Sequence, residues 1–313
     1  MVALGGNALL QRRERPDAVI QQHHIRAAAV ALAPLAAEHQ LILCHGNGPQ
    51  IGLLALESDA DQSLSVPYPL DALGAQTQGM IGYWLAQELR NAGVVQPVVT
   101  VITQTVVDAD DPAFDVPVKF IGAVYGRADA DRLAAERGWQ IAADGAGWRR
   151  VVASPEPRRI LEEAAIRRLL DDAGALVICG GGGGVPVVED SAGRLTGVEA
   201  VVDKDLTAAA IAVSMHADRL LLLTDVPAVM RDFGTADATA IEFLDLTEAA
   251  DLHLPAGSMG PKVEACARYT GATGHPSSIG ALRDAAAVLS GAAGTTVLPG
   301  AGGRDPLTPG ARS

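Results

Sequence analysis

Short apolar runs that do not alternate with polar residues, each followed by a longer helical stretch, constrain the fold of this chain more than any other feature. Val2-Ala3-Leu4, Leu41 to Cys44, Val98 to Ile102, Leu176 to Cys179, Leu220 to Leu223 and Thr295 to Leu298 read as buried strands. A strand that is apolar on both sides needs cover on both faces, and crossover helices give a parallel sheet that cover. Helical patterns fill the intervals, at roughly 17–38, 47–57, 70–92, 159–173, 205–217, 247–254, 259–273 and 282–290. The expectation is an α/β fold with a mainly parallel sheet. Pro34 falls inside the first helical stretch, where it should kink or end the helix.

One stretch breaks this rhythm. Residues 108–150 open with Asp108-Ala109-Asp110-Asp111-Pro112 and close with Asp144-Gly145-Ala146-Gly147-Trp148-Arg149-Arg150. They hold two of the three tryptophans in a chain with only 4% aromatic residues, so a small inserted subdomain that acts as a lid is expected there. Residues 299–313 are rich in Gly, Pro and Arg and read as a flexible tail, leaving 1–298 as the main domain.

A net charge of −13 argues against nucleic acid or an anionic membrane as partner. No basic segment followed by an apolar one opens the chain, and no apolar run reaches about 18 residues, so no signal or membrane segment is expected. Cys44, Cys179 and Cys266 are odd in number and widely spaced, which suits a reduced, cytoplasmic protein better than a disulfide framework or a zinc site.

The positive charge is distributed unevenly by type. There are 24 Lys plus Arg residues, and only Lys119, Lys204 and Lys262 are lysines. Each sits in a short segment marked by Gly, Asp or Pro: PVKFIG, DKD and SMGPK. Lysine is a compact point charge and arginine a planar fork, so the two do not interchange at a tight site. The three ammonium groups are therefore candidates to grip a small anion. Lys262 in a first helical turn is electrostatically poor unless a phosphate also occupies that end.

Glycines follow three of the strands: Gly5-Gly6-Asn7 after the first, Gly46-Asn47-Gly48 after the second, and Gly180 to Gly184 after Cys179. Ligands of open α/β sheets collect at these carboxyl ends, where glycine lets backbone N–H groups come close. Asn7 and Asn47 add side-chain donors, and Thr224-Asp225 ends a further strand at the same edge. Asp205 is a plausible N-cap, and the Asp203-Lys204-Asp205 arrangement can also hold the lysine toward a phosphoryl group. Cys44 and His45 point to opposite faces of a strand, so they do not read as a nucleophile pair; His45 reads as a loop-shaping hydrogen bonder. Neither a P-loop nor GxGxxG is present.

Taken in order, the motifs resemble those of the carbamate kinases of the amino-acid kinase superfamily. The matching stretches are VALGGNALL at 2–10, HGNGPQIGLLALE at 45–57, LDALGAQTQGMIGYWLAQEL at 70–89, GWRRVVASPEPRRI at 147–160, GGGGGVPVV at 180–188, VDKDLTAAAIA at 202–212, LLTDV at 222–226 and GSMGPKVEA at 257–265. The segment PVKFIG stands where relatives tend to show PTKPIG. The resemblance implies a three-layer αβα sandwich, with a mainly parallel open sheet of about eight strands and a protruding inserted subdomain. It also implies a homodimer, a role in arginine metabolism, and reversible phosphoryl transfer between ATP and carbamate, giving ADP and carbamoyl phosphate. In that reading Lys204 and Lys262 stabilise the phosphoryl group, Asp205 organises them, and Lys119 reaches in from the insert. Gly5, Gly6, Asn7, Gly46, Asn47 and Gly48 frame the acceptor. Gly180, Gly181, Thr224, Asp225, Gly257, Ser258, Met259 and Gly260 serve the nucleotide, and Mg²⁺ is carried by the nucleotide phosphates rather than by protein side chains. The competing readings are a related kinase acting on a different small acid, and a nucleotide-binding regulator descended from a kinase.

Overall fold

The computed structural model describes residues 1–11, 14–235, 237–252, 254 and 259–300. The main sheet comprises β1 (Val2–Leu4), β2 (Ile42–His45), β3 (Val98–Thr100), β4 (Leu176–Ile178), β5 (Leu220–Thr224), β6 (Phe243–Asp245), β7 (Ser277–Ala281) and β8 (Thr295–Leu298). Their order is β6-β8-β7-β5-β1-β2-β4-β3. Neighbours are parallel except for β7 and β8.

The unalternating runs are explained by the two faces they serve. Ala3, Ile42, Cys44, Val177, Leu220 and Leu222 enter one apolar cluster with α5 (Glu163–Asp171), α6 (Lys204–Ser214) and α8 (Gly260–Thr273). Val2, Leu4, Leu43, Leu176, Leu221 and Leu223 enter the other with α1 (Ala18–Glu38), α3 (Leu70–Asn91) and α9 (Ala285–Leu289). Successive residues point to opposite faces, so both must be apolar when both faces are covered. The expected three-layer αβα sandwich with eight strands is the observed architecture.

Three expectations need correction. Pro34 does not end α1, which continues to Glu38 because Leu35 and Ala36 are buried in the core and hold its last turns. The fifth helix begins at Glu163, since Arg159–Ile160 is instead a strand. The pattern also missed β6 and β7. The sequence of β7, SSIGA, is weakly apolar, yet it is buried because its hydroxyls are satisfied: Ser277 Oγ donates to the Cys266 carbonyl oxygen at 3.1 Å, and Ser278 Oγ lies 3.2 Å from Thr296 Oγ1.

The stretch 108–150 lies outside the main sheet. It contributes to a three-stranded antiparallel sheet of Lys119–Tyr125, Gly147–Val152 and Gln140–Asp144, with Gly147–Val152 in the middle, and carries α4 (Arg127–Arg137). The chain leaves for and returns from this insert through Gln104–Val106 and Arg159–Ile160, which pair with each other in a separate four-stranded sheet with Val185–Glu189 and Leu195–Gly197. The insert docks on α2 (Gly48–Ala60). Ile121 and Val152 pack with Ile51, Leu70, Leu73 and Val201, and Arg137 pairs with Asp59. Gly52 and Gly122 meet backbone to backbone: a Cβ on Gly52 would stand 2.5 Å from Gly122 Cα. No helix among the described residues is long and apolar enough to cross a membrane. Of the tail, 301–313 lies outside the described residues.

Candidate active site

β5, β1 and β2 are consecutive in the sheet, and Leu4 pairs with both His45 and Leu223. The loops after these strands therefore leave the sheet side by side. The Gly5 N–H donates to the Leu223 carbonyl oxygen at 2.8 Å, and the Gly46 N–H to that of Leu4 at 2.9 Å. The two glycine loops touch: a Cβ on Gly46 would stand 2.8 Å from the nitrogen of Gly6 and 3.4 Å from Cε of Lys204. A side chain there would push the loops apart, so Gly46 is required by close approach. Asn7 lies in the single turn Gly6–Ala8, and Asn47 precedes α2, where its Nδ2 donates to Thr77 Oγ1 at 2.8 Å. Pro49 sits in the first turn of α2, which begins at Gly48, and a missing N–H costs nothing at that position.

The charged centre is built by two helix starts. Asp203, not Asp205, caps α6: its Oδ1 accepts the N–H groups of Asp205 at 2.8 Å and Leu206 at 3.4 Å. This corrects the expectation for Asp205. That residue, already inside the helix, turns its carboxylate inward, where it is 4% exposed. Its Oδ1 accepts from Lys204 Nζ at 2.5 Å and its Oδ2 from Lys262 Nζ at 3.0 Å. Lys262 comes from the first turn of α8, which opens with Met259 as cap and Gly260 as first helical residue. Lys119, at the edge of the insert, donates to Asp203 Oδ2 at 2.6 Å. All three lysines thus meet two adjacent carboxylates of one turn.

Burial pushes the Asp205 carboxyl upward, but Lys204 and Lys262 outweigh it and hold it below the ordinary carboxylate range. Asp203 is likewise held well down: burial opposes ionisation, and Lys119 and Lys204 overcome it. The two lysines diverge. Burial lowers Lys204, but Asp205 and Asp203 raise it above the usual lysine value, while burial and the neighbouring Lys204 lower Lys262.

Thr224 ends β5, and its hydroxyl donates to Asp225 Oδ1 at 3.0 Å. Gly180 and Gly181 follow β4, which β1 and β2 separate from the strand that Thr224 ends. A Cβ on Gly181 would stand 2.6 Å from Cε1 of His45 and 3.1 Å from Cγ of Gln78. They back the His45–Asn47 loop and are set apart from Thr224 and Met259. Gly180, Gly182, Gly183 and Gly184 all have positive φ, which explains the run of glycines. Gly257 and Ser258 lie outside the described residues. His45 is buried with its Nδ1 3.0 Å from the Gly46 carbonyl oxygen, and burial lowers its pKa to about 4, so it shapes the loop as a neutral ring. The Cys44 thiol donates to the Gly180 carbonyl oxygen at 3.0 Å, and burial pushes its pKa to about 12, far from a nucleophile's.

Residues 1–280 match the model of the amino acid kinase family. The chain is 49% identical over 300 residues to the carbamate kinase of Rhizobium meliloti (strain 1021), covering 95% of this chain and 92% of that protein. It is 50% identical over 297 residues to the carbamate kinase of Escherichia coli (strain K12), covering 95% and 98%. The solved structure of Giardia lamblia carbamate kinase bound to AMP-PNP superposes with a TM-score of 0.86 at 38% identity, covering 95% of this chain and 97% of that one.

The chain belongs to the carbamate kinases of the amino acid kinase family.

In this family member the sequence singled out the lysines, the glycine loops and both flanking aspartates, but gave the cap to Asp205 instead of Asp203, missed the Asp203–Lys119 pair and passed over Glu199. Asp203 could have been found as the capping-type residue directly before an Ala-rich helix. Glu199 accepts from Arg150 of the insert at 2.9 Å and from the Leu70 N–H of α3 at 2.9 Å, a bridge between three segments that no local pattern announces.

Proposed function

We propose that this carbamate kinase family member transfers a phosphoryl group reversibly between ATP and carbamate at the turn where Lys204, Lys262 and Lys119 converge on Asp203 and Asp205. The observation that carries the reading is the shared carboxylate of Asp205, which holds ammonium groups from two helices at 2.5 and 3.0 Å beside the Gly5–Gly6 and Gly46 loops. Phosphoryl transfer is served mainly by positioning and by charge neutralisation, with little covalent chemistry for the protein to perform. Three lysines against two aspartates leave one positive charge, which suits an anionic group in transfer. Carbamate is already an anion, so no general base is needed, and His45 and Cys44 are held in inert forms.

In this reading the Gly5, Gly6, Asn7, Gly46, Asn47 and Gly48 loops frame the acceptor, and Gly180 and Gly181 back them. Thr224, Asp225 and the start of α8 at Met259 and Gly260 face the nucleotide, and Gly257 and Ser258, which precede them in sequence, are assigned to it as well. Among the described residues no group of three or more His, Cys, Asp or Glu side chains could hold a metal ion. Following the resemblance, Mg²⁺ is assigned to the nucleotide phosphates, where it would neutralise charge, and the lysines supply the protein's share. The insert is assigned as a lid. A homodimer, a role in arginine metabolism and a cytoplasmic location complete the proposal. The first two rest on the resemblance and the last on the free, buried Cys44, Cys179 and Cys266.

The test is formation of ATP from ADP and carbamoyl phosphate by the purified protein with Mg²⁺. Turnover is expected. Nucleotide binding without turnover in a folded sample would reverse the assignment in favour of a regulator.

A further inference from the structure

Asp203 has no assigned part in the reaction, yet its ion pair with Lys119 joins the insert to the catalytic turn. Lys119 lies 84 positions away in sequence and belongs to the first strand of the insert. Its ammonium is 2.6 Å from Asp203 Oδ2, while Asp203 Oδ1 caps the helix that begins with Lys204 and Asp205. The two carboxylate oxygens therefore have separate duties. The pair is sheltered, with the Asp203 side chain 13% exposed. A lysine stem has many rotamers, so an ammonium carried by the insert needs a fixed partner to be delivered to one place. An ammonium has three donors, so Lys119 can keep Asp203 and still reach a phosphoryl oxygen.

We propose that Asp203 is a positioning residue that aims Lys119 of the insert at the transferring group while pinning the first turn of α6. The proposal rests on the phosphoryl-transfer reading for its kinetic arm, and on the free protein alone for its structural arm. Arg150, which pairs with Ile121 in the insert sheet, adds a parallel tie through Glu199, so loss of Asp203 should misaim Lys119 without releasing the insert altogether.

Asparagine caps a helix about as well as aspartate, so Asp203→Asn removes the ion pair and keeps the cap, whereas Asp203→Ala removes both. In the ligand-free protein, amides of Lys119–Tyr125 should exchange roughly tenfold faster in Asp203→Asn, with those at the start of α6 unchanged. Lys119→Met should loosen the same strand, which keeps the test available should position 203 tolerate no change. In turnover, kcat of Asp203→Asn should fall about 10- to 100-fold with KM for carbamoyl phosphate nearly unchanged. The double variant with Lys119→Met should be no slower than Lys119→Met alone. Wild-type kcat in Asp203→Asn, additive losses in the double variant, or a lowered KM at unchanged kcat would each overturn the proposal. Absence of turnover in the wild type would instead reject the phosphoryl-transfer reading, and the exchange result would still decide whether the latch exists.

Discussion

The ammonium nitrogen of Lys262 lies 3.0 Å from Oδ2 of Asp205, so the first turns of α8 and α6 are joined through one carboxylate. Lys204 takes the other oxygen at 2.5 Å, and both lysine side chains are only 12% exposed. Two cations held this close and this dry repel each other, and Asp205 together with an incoming anion makes the arrangement tolerable. In the proposed reaction the phosphoryl group in transfer would offset the repulsion that Asp205 leaves.

Replacing either lysine by arginine keeps the charge but not the shape. A guanidinium is larger and its fork is fixed, so it displaces the transferring group or the second lysine. Lys204→Arg and Lys262→Arg should each lower kcat at least about 100-fold, since a misplacement of about 1 Å costs that much. Cooperative thermal melting should persist, because the pair with Asp205 can still form. Near-wild-type turnover in both variants would mean that the scarcity of lysine is compositional.

Removing Asp205 should be more damaging to the fold. Asp205→Ala leaves two buried ammonium groups without their shared partner, and breaking such a buried pair costs about 3–5 kcal/mol. Urea unfolding should show this loss, and a phosphate-bearing ligand should restore more stability to the variant than to the wild type. A loss below about 1 kcal/mol would contradict the keystone role.

The pH dependence follows from the same burial. Lys262 is lowered by burial and by Lys204, so it should lose its proton at a pH below the ordinary lysine value of 10.5. Turnover should decline on the alkaline side in that range, and any residual activity of Lys262→Arg, which stays charged, should lack that limb. On the acid side, His45 is held near 4 against an ordinary 6.5. The unfolded chain binds the proton first, so stability falls as pH drops from 6.5 toward about 4. Asp203 and Asp205, depressed below 3.8, contribute stability above that pH and lose it as pH falls further. Unfolding free energies measured from pH 7 to 3 should trace both declines, and a flat profile between pH 6.5 and 4 would contradict the His45 part.

The seat of the insert on α2 offers a fourth test. Alanine is favoured over glycine within a helix by about 1 kcal/mol, yet a Cβ on Gly52 would stand 2.5 Å from Gly122 Cα. Gly52→Ala should therefore push the insert off α2, speed amide exchange across Lys119–Tyr125 and Gly147–Val152, and leave Leu176–Ile178 and Leu220–Thr224 protected. Exchange in the wild-type insert should already exceed that of those core strands and slow when nucleotide binds. Equal protection in the free protein would argue against a lid.

Local sequence determined what local physics controls. Runs such as Leu220 to Leu223 are apolar at every position because both of their faces are covered, so their strand character and the layered fold can be read directly. The glycines at positions 46 and 180–184 and the three lysines are legible for a related reason: few other residue types can do their work. Tertiary packing decided the rest. It made Ser277–Ala281 a core strand by giving Ser277 and Ser278 partners on neighbouring elements, and it carried α1 through Pro34 by burying Leu35 and Ala36. It also divided the duties of Asp203 and Asp205, which spacing alone leaves interchangeable. The residue before the helix folds back over the open N–H groups of Asp205 and Leu206, while the one inside it is turned by the helical rotation toward Lys204 and toward Lys262, 57 positions away. A sequence specifies which side chains carry charge; only the closed chain sets which of them share a carboxylate, because that depends on contacts between segments distant along it.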